Sequence, residues 1–328
     1  MKHLIFGGDG FLGKELTKKL IAKGERVVVY DLKKTEECEN YKSDLVTYVQ
    51  MDVTKVEDFE KVDIQPEDVP YHFAARLLVP IMPRGERKEY FWTALYDGTK
   101  NVLEFLERNN CKRMIYYTTD MVYGHTVHHP RFEDHPRAPL GPYGDAKLET
   151  EFLCENFREK GFNISIFRPR LIIGPGRLGI LEKLFKLIDA NLPVPTIGNG
   201  KNYYQFISVS DCANAVICAV EKGIPNEAFN LGSLNPPTVN DLLKKLIKHA
   251  NSKSFLIPTP AGLVKFTLDM FDRVGKPIMD PEQYLIADET CVLDVSKGER
   301  LLGWVPQDTD EDMLIAAYKT YREGLEKA

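Results

Sequence analysis

The chain has 328 residues, with Lys+Arg 43 against Asp+Glu 48, a formal net charge of −5 and six cysteines. At about 150 residues per domain, that length gives two domains or one large α/β domain carrying a lobe, and an acidic balance with no basic block excludes a general nucleic-acid binder. Ordinary apolar and charged content, 43% and 28%, excludes bulk disorder. With no apolar run of 18 residues, no signal-peptide core after Met1-Lys2 and no CxxC or zinc-type spacing, the expectation is a cytoplasmic protein with free thiols, no metal and no membrane partner.

Lys2–Gly7 is a short apolar run and reads as a strand. Phe11–Lys23 then carries Leu12, Leu16 and Leu20 on one helical face, closed by Gly24. Between them, Gly8-Asp9-Gly10-Phe11-Leu12-Gly13 fits GxGxxG, and Gly7, Gly10 and Gly13 fit GxxGxxG. A glycine turn from strand to helix lets backbone approach a pyrophosphate, and the helix N-terminus offers it N–H groups and partial positive charge. Asp9 suits such a loop only if its carboxylate points away.

Val27–Tyr30 is a β-branched run of buried-strand type that ends at Asp31. A carboxylate there accepts hydrogen bonds from the adenosine ribose and repels a 2′-phosphate, favouring NAD over NADP, although Lys33 and Lys34 stand close enough to soften the preference. Val46–Met51 and Val69–Ala74 read as further strands, and Asp52-Val53 is placed to flank an adenine. A long helix is expected over Glu89–Arg108. The basic patch before it (Arg84, Arg87, Lys88) reads as a solvated face, with substrate steering as the alternative. Arg113–Thr118 is a strand, Tyr143–Lys160 a helix and Asn163–Phe167 a strand.

Such alternation implies parallel strands joined by right-handed crossovers. The expected fold is α/β, a doubly wound parallel sheet with its ligand crevice at the carboxyl ends of the strands. His125, His128, His129 and Glu133 fall in one loop and read as solvated, because no ligand spacing completes a metal site. After Gly174 the chain becomes rich in Pro and Gly. Helical patterns recur at Leu178–Asn191, Asp211–Lys222, Asn240–His249 and Asp310–Glu326. The apolar residues of Leu263–Met270, Phe266 among them, either pack a lobe or line an acceptor pocket. The expected organisation is a dinucleotide-binding domain over 1–174 and a smaller substrate-binding lobe over 175–328, with segments near 205–232 returning to the first domain.

Tyr143-Gly144-Asp145-Ala146-Lys147 places a phenol and an amine at i and i+4 on one helix face. A free phenol titrates near 10. A fixed ammonium and an oxidised nicotinamide both favour the phenolate, and lowering a phenol by two or three units takes about 3–4 kcal/mol. The same lysine can hold the nicotinamide ribose.

Taken in order, GGDGFLG at 7–13, Asp31, Asp52-Val53, His72-Phe73-Ala74-Ala75, TTDMVYG at 118–124, YGDAK at 143–147, Arg168-Pro169, Gly174-Pro175-Gly176, FISVSD at 206–211, Phe229-Asn230-Leu231-Gly232 and LGWVP at 302–306 give the chain its likeness. It resembles the extended short-chain dehydrogenase/reductases, the NAD-dependent epimerase/dehydratase group, along nearly all its length. The resemblance implies a Rossmann domain holding NAD tightly, with NADP less favoured, frequently a nucleotide-sugar substrate, and often a homodimer through two long helices. It implies Thr119 as the hydroxyl that polarises the substrate oxygen, Tyr143 as acid/base and Lys147 as its electrostatic partner. Ala74 and Ala75, with Pro169, would line the cofactor groove.

The chain also departs from the group. Asp120 stands where similar nucleotide-sugar 4,6-dehydratases keep an acid, but Met121 replaces the Glu base that follows there, which disfavours a full dehydratase. Leu95 stands where Asn is common before Gly98-Thr99. Leu171 and Tyr204 stand where nucleotide-sugar epimerases carry Asn and Arg against the substrate phosphates, so that Arg170, Arg177 and Lys201 are the available replacements. The reading is an NAD-dependent oxidoreductase or epimerase acting on a sugar hydroxyl, with a nucleotide sugar as the leading substrate. Its alternatives are a dehydrogenase or reductase of an apolar alcohol or ketone, of 3β-hydroxysteroid or dihydroflavonol type, which Leu171 and Tyr204 suit, and a non-catalytic NAD(P)-binding regulator.

Overall fold

Side chains of β1 (His3–Phe6) are buried on both faces, as a central strand of a parallel sheet requires. Leu4 and Phe6 enter one core and Ile5 the other, following the two-residue period of a strand. β2 (Val27–Asp31), β3 (Val46–Gln50), β4 (Val69–His72), β5 (Arg113–Tyr117), β6 (Asn163–Pro169) and a late strand, β10 (Ala228–Leu231), complete a seven-stranded sheet. Its order is β10-β6-β5-β4-β1-β2-β3, and every pairing is parallel. The chain steps one way from β1 to β3 and the other way from β4 to β6, so the crevice of a doubly wound sheet opens between β1 and β4 at the carboxyl edge. This structure, a computed structural model, describes residues 1–36, 38–78, 81–175 and 181–326.

Helices cover both faces. α1 (Phe11–Ala22) lays Leu12, Leu16 and Leu20 against Ile5, Val27 and Val29, and α6 (Val209–Glu221) adds Val216 and Ala219 to the same layer. On the opposite face Val102, Leu106 and Phe157 pack on Leu4, Phe6 and Ile164. Each large apolar side chain so buried contributes about 1.5–3 kcal/mol relative to exposure.

The helix expected over Glu89–Arg108 is interrupted. α2 (Arg87–Trp92) passes through a π-helical turn (Thr93–Asp97) into α3 (Gly98–Arg108). The turn ends at Gly98, where a Cβ would come within 2.9 Å of the Val53 side chain. α4 (Pro142–Glu159) runs beside it.

A third core belongs to the C-terminal half. α5 (Leu181–Asp189), α7 (Val239–His249) and α11 (Asp310–Glu326) bring together Phe185, Ile188, Leu242, Leu246, Leu314 and Tyr318. Two short parallel pairs join it: β7 (Leu171–Ile173) with β9 (Phe206–Ser208), and β8 (Val194–Ile197) with β11 (Leu256–Thr259).

Three expectations about surfaces are corrected. The apolar residues of α8 (Ala261–Arg273) do not pack the lobe: Leu263 and Phe266 are more than 60% exposed. That helix is held instead by Asp272, in a buried bidentate ion pair with Arg87, so Arg87 is no part of a solvated face. Glu133 is not simply solvated either, since its carboxylate accepts the Asn230 N–H at 2.9 Å. Among the described residues no helix is long and apolar enough to cross a membrane, and no group of His, Cys, Asp or Glu could hold a metal ion.

Candidate active site

The loop after β1 is shaped by what its glycines lack. Gly7 has φ +83, and a Cβ there would lie 2.4 Å from the Ala74 nitrogen. A Cβ at Gly13 would lie 2.5 Å from the Gly8 Cα. The loop after β1 therefore presses on Ala74, with Ala75 following at the carboxyl end of β4, and α1 starts hard against the turn. Gly10 is the N-cap of α1, and no side chain caps the first turn through Phe11 and Leu12. This is a backbone cradle suited to a pyrophosphate.

The awkward acid is accounted for. Asp9 turns away from the cradle and accepts the Thr35 N–H at 3.1 Å, the Thr35 hydroxyl at 2.6 Å and the Tyr41 hydroxyl at 2.5 Å. Asp31 accepts the Asp9 and Leu32 N–H groups at 2.9 and 2.7 Å, which ties the end of β2 to the glycine loop. Burial raises its carboxyl from the usual range, against those N–H groups. Lys34 lies over the Tyr41 and Tyr48 rings. After β3, Asp52 caps Thr54, and the Val53 carbonyl accepts from Asn101 at 3.0 Å. Pro169 ends β6 at the same edge.

Tyr143 and Lys147 lie one turn apart in α4, both buried. Lys147 is 3% exposed, and its ammonium donates to the Tyr117 carbonyl at 2.9 Å. Burial lowers it to about 8, against the pull of Glu151 and Cys154. The Tyr143 ring meets Phe91 of α2 edge-on, centroids 5.3 Å apart, in an apolar cluster with Leu95 and Ala146 to which Met121 packs. Thr119 follows β5 and accepts the Met121 N–H at 3.3 Å, capping a short 3₁₀ turn, Asp120–Tyr123. The carboxyl edge of β5 thus carries the threonine, and α4 brings its amine to the same edge.

Asp120 is buried and ion-paired to Arg170, with Arg131 3.7 Å from the same carboxylate. Arg170 also lies over the Tyr204 ring. The pair draws Arg170, Asp120 and Tyr204 into one cluster, with Leu171 next in chain on β7. Arg177 lies outside the described residues.

Two participants were not anticipated. Arg131 has no exposed area and donates to the Gly124 carbonyl and the Thr126 hydroxyl. Glu282, on α9 (Pro281–Tyr284), accepts the N–H groups of Tyr143 and Gly144, each at 2.8 Å. Neither belongs to a local spacing pattern. The one signal was the pair of glycines, Gly141 and Gly144, around Tyr143.

The family model for the NAD dependent epimerase/dehydratase family matches residues 3–232. Among curated proteins, the chain is 27% identical over 325 residues to the uncharacterized protein y4nG of Sinorhizobium fredii, covering 97% of this chain and 78% of that one. It is 26% identical over 271 residues to the human dTDP-D-glucose 4,6-dehydratase, covering 76% and 75%. Among solved structures it is similar to the UDP-glucose 4-epimerase of Thermotoga maritima, determined with UDP-glucose, at 26% identity and a TM-score of 0.79, covering 99% and 100%.

Proposed function

The chain belongs to the NAD dependent epimerase/dehydratase family, and from that premise we propose that it oxidises a hydroxyl of a nucleotide sugar and returns it as an epimer or a keto sugar. The glycine cradle, the Asp31 carboxylate and the Ala74–Ala75 wall fit a dinucleotide: the first turn of α1 carries no side-chain cap, which leaves its N–H groups to a pyrophosphate, and Gly7 and Gly13 let the loop pack on Ala74 and Gly8. NAD, when bound there, supplies the hydride acceptor.

The chain's own residues do the proton work. Asp31 binds the adenosine ribose and disfavours a 2′-phosphate. Thr119 holds the substrate oxygen. Tyr143 takes the proton of the reacting hydroxyl, and the Lys147 ammonium lowers the cost of the phenolate in a pocket that burial has dried. The supporting observation is the Lys147 amine, buried on the Tyr143 helix and pinned to the last residue of β5.

Met121 has no basic group, and Asp120 is engaged by Arg170. Both features favour epimerisation or simple redox chemistry over loss of water. Arg170, which shares the Asp120 carboxylate with Arg131 and lies over the Tyr204 ring, is the proposed contact for the substrate phosphates, with Leu171 next to it in the chain and Met121 next to Asp120. A nucleotide-binding domain over 1–174, a substrate lobe over 175–328 and a homodimer through the long helices complete the proposal. The apolar-alcohol alternative draws on Leu171 and Tyr204.

The test is incubation with UDP-glucose, dTDP-glucose and UDP-glucuronate, reading products by NMR. Epimer or keto-sugar formation supports the proposal. No change in any of the three, with turnover of a sterol alcohol, replaces it with the apolar-alcohol reading.

A further inference from the structure

We propose that Glu282, reaching in from the C-terminal half, is a positioning residue for Tyr143: it serves as the N-cap of the helix that carries the phenol. The proposal rests on the reading of Tyr143 as the acid/base.

An α-helix leaves its first N–H groups without intrahelical partners. α4 begins Gly141-Pro142, so its N-cap has no side chain to offer and its first residue has no N–H. The next two N–H groups belong to Tyr143 and Gly144. Both donate to Glu282, one to each carboxylate oxygen, at 2.8 Å. The acceptor comes from 139 residues further along the chain. Ordinary capping uses the residue just before the helix; here the cap is supplied across the fold.

The local sequence reserves its seat. A Cβ at Gly141 would lie 2.8 Å from the Glu282 Cγ, and a Cβ at Gly144 2.8 Å from its Oε2. Glu282 is 3% exposed. Its own N–H donates to Asp280 at 3.0 Å, so α9 is itself capped. Arg87 then ties this strap to α2: it pairs with Asp272 and lies 3.9 Å from Asp280. α2 also supplies Phe91, which meets the Tyr143 ring. Residue 143 is therefore clasped by its backbone from α9 and by its ring from α2, and Arg87 links the two clasps.

The charge on Glu282 matters to this role. An ionised carboxylate accepts both N–H groups, whereas a protonated one gives up an acceptor. The charged groups acting on it are Asp280 on its own loop and Asp145 on α4; Arg87 of α2 and Asp272 of α8 act in turn on Asp280. Burial, Asp280 and Asp145 raise the Glu282 carboxyl to about 7, against the two N–H groups. The clasp should loosen just below neutral pH.

The experiment compares wild type with Glu282→Gln and Glu282→Ala, using UDP-glucose as the probe. Glu282→Ala should lower kcat at least tenfold while KM stays within threefold, measured per folded, NAD-loaded molecule. Wild-type kcat should fall on the acid side through about pH 7, and Glu282→Gln should sit at that lowered level without the limb. A purely structural role would reduce folded protein and leave both kcat and the limb unchanged in what remains, which overturns the proposal. If Glu282→Ala fails to fold, Glu282→Gln carries the comparison.

Should the wild type leave UDP-glucose untouched, the functional reading fails separately, and amide hydrogen exchange in the NAD-free protein decides. Protection at Tyr143 and Gly144, corrected for intrinsic rates, should drop at least tenfold below pH 7 in wild type and at all pH values in Glu282→Gln. Unchanged protection in Glu282→Gln refutes the cap.

Discussion

Arg170 forms a buried ion pair with Asp120, the residue directly after Thr119. Arg131 lies 3.7 Å from the same carboxylate oxygen, so the acid is engaged by two cations in a place with little water. Taking one partner from such a pair leaves a buried charge uncompensated and costs about 3–5 kcal/mol. Asp120→Asn leaves both Arg170 and Arg131 without their carboxylate and should destabilise the protein by that order in urea titrations, whereas Arg170→Met, which keeps Arg131 against the acid, should cost less. If Asp120→Asn unfolds at the wild-type midpoint, the cluster contributes nothing.

Removal of one oxygen tests the proton transfer. Tyr143→Phe keeps the Phe91 contact and the backbone N–H, so stability should change by less than about 1 kcal/mol. Turnover should fall by at least a thousandfold, with NAD affinity nearly unchanged. Wild-type turnover in this variant would remove the phenol from the mechanism.

The charge at Asp31 decides between dinucleotides. Asp31→Asn retains an acceptor for one of the Asp9 and Leu32 N–H groups, which Asp31 takes on separate oxygens, and loses the repulsion toward a 2′-phosphate. Fluorescence titration should show the NAD:NADP affinity ratio shrinking about tenfold or more, equivalent to roughly 1.4 kcal/mol. A constant ratio would mean that the carboxylate serves only the glycine loop.

Glu282 also predicts a pH dependence of stability. Its folded-state carboxyl is raised from 4.5 to about 7. Below the lower value both states are protonated and the group contributes no difference. As pH rises from 4.5 to 7 the unfolded chain releases its proton first, so folding becomes less favourable by up to about 3 kcal/mol. Denaturant titrations at pH 5 and 7.5 should show this decline in wild type and a shallower one in Glu282→Gln. Parallel curves would place the raised carboxyl elsewhere.

Much of the site could be read before folding was considered. Gly7, Gly10 and Gly13, the acid at the end of β2, and the phenol and amine one helical turn apart are all patterns within a few residues; the glycine loop and Asp31 fell at the carboxyl ends of β1 and β2, and the Lys147 amine reached that of β5. Asp9 is intermediate: its unfitness for a phosphate loop was legible, but its turn toward Thr35 and Tyr41 was not. The long helix before β5 was legible as a helix, while the π-turn over Thr93–Asp97 and the close approach of Gly98 to Val53 were not.

What linear order encodes here is short-range: the two-residue and 3.6-residue periods, the turn chemistry of glycine, and the i to i+4 spacing of Tyr143 and Lys147. Partnerships between buried charges lay beyond it. Arg170 finds Asp120 across 50 residues, Glu282 finds Tyr143 across 139, and Arg87 finds Asp272 across 185. An ionised group in an interior must be paired or hydrogen-bonded, but which partner meets it depends on which elements exclude water together, and that emerges only when distant segments pack.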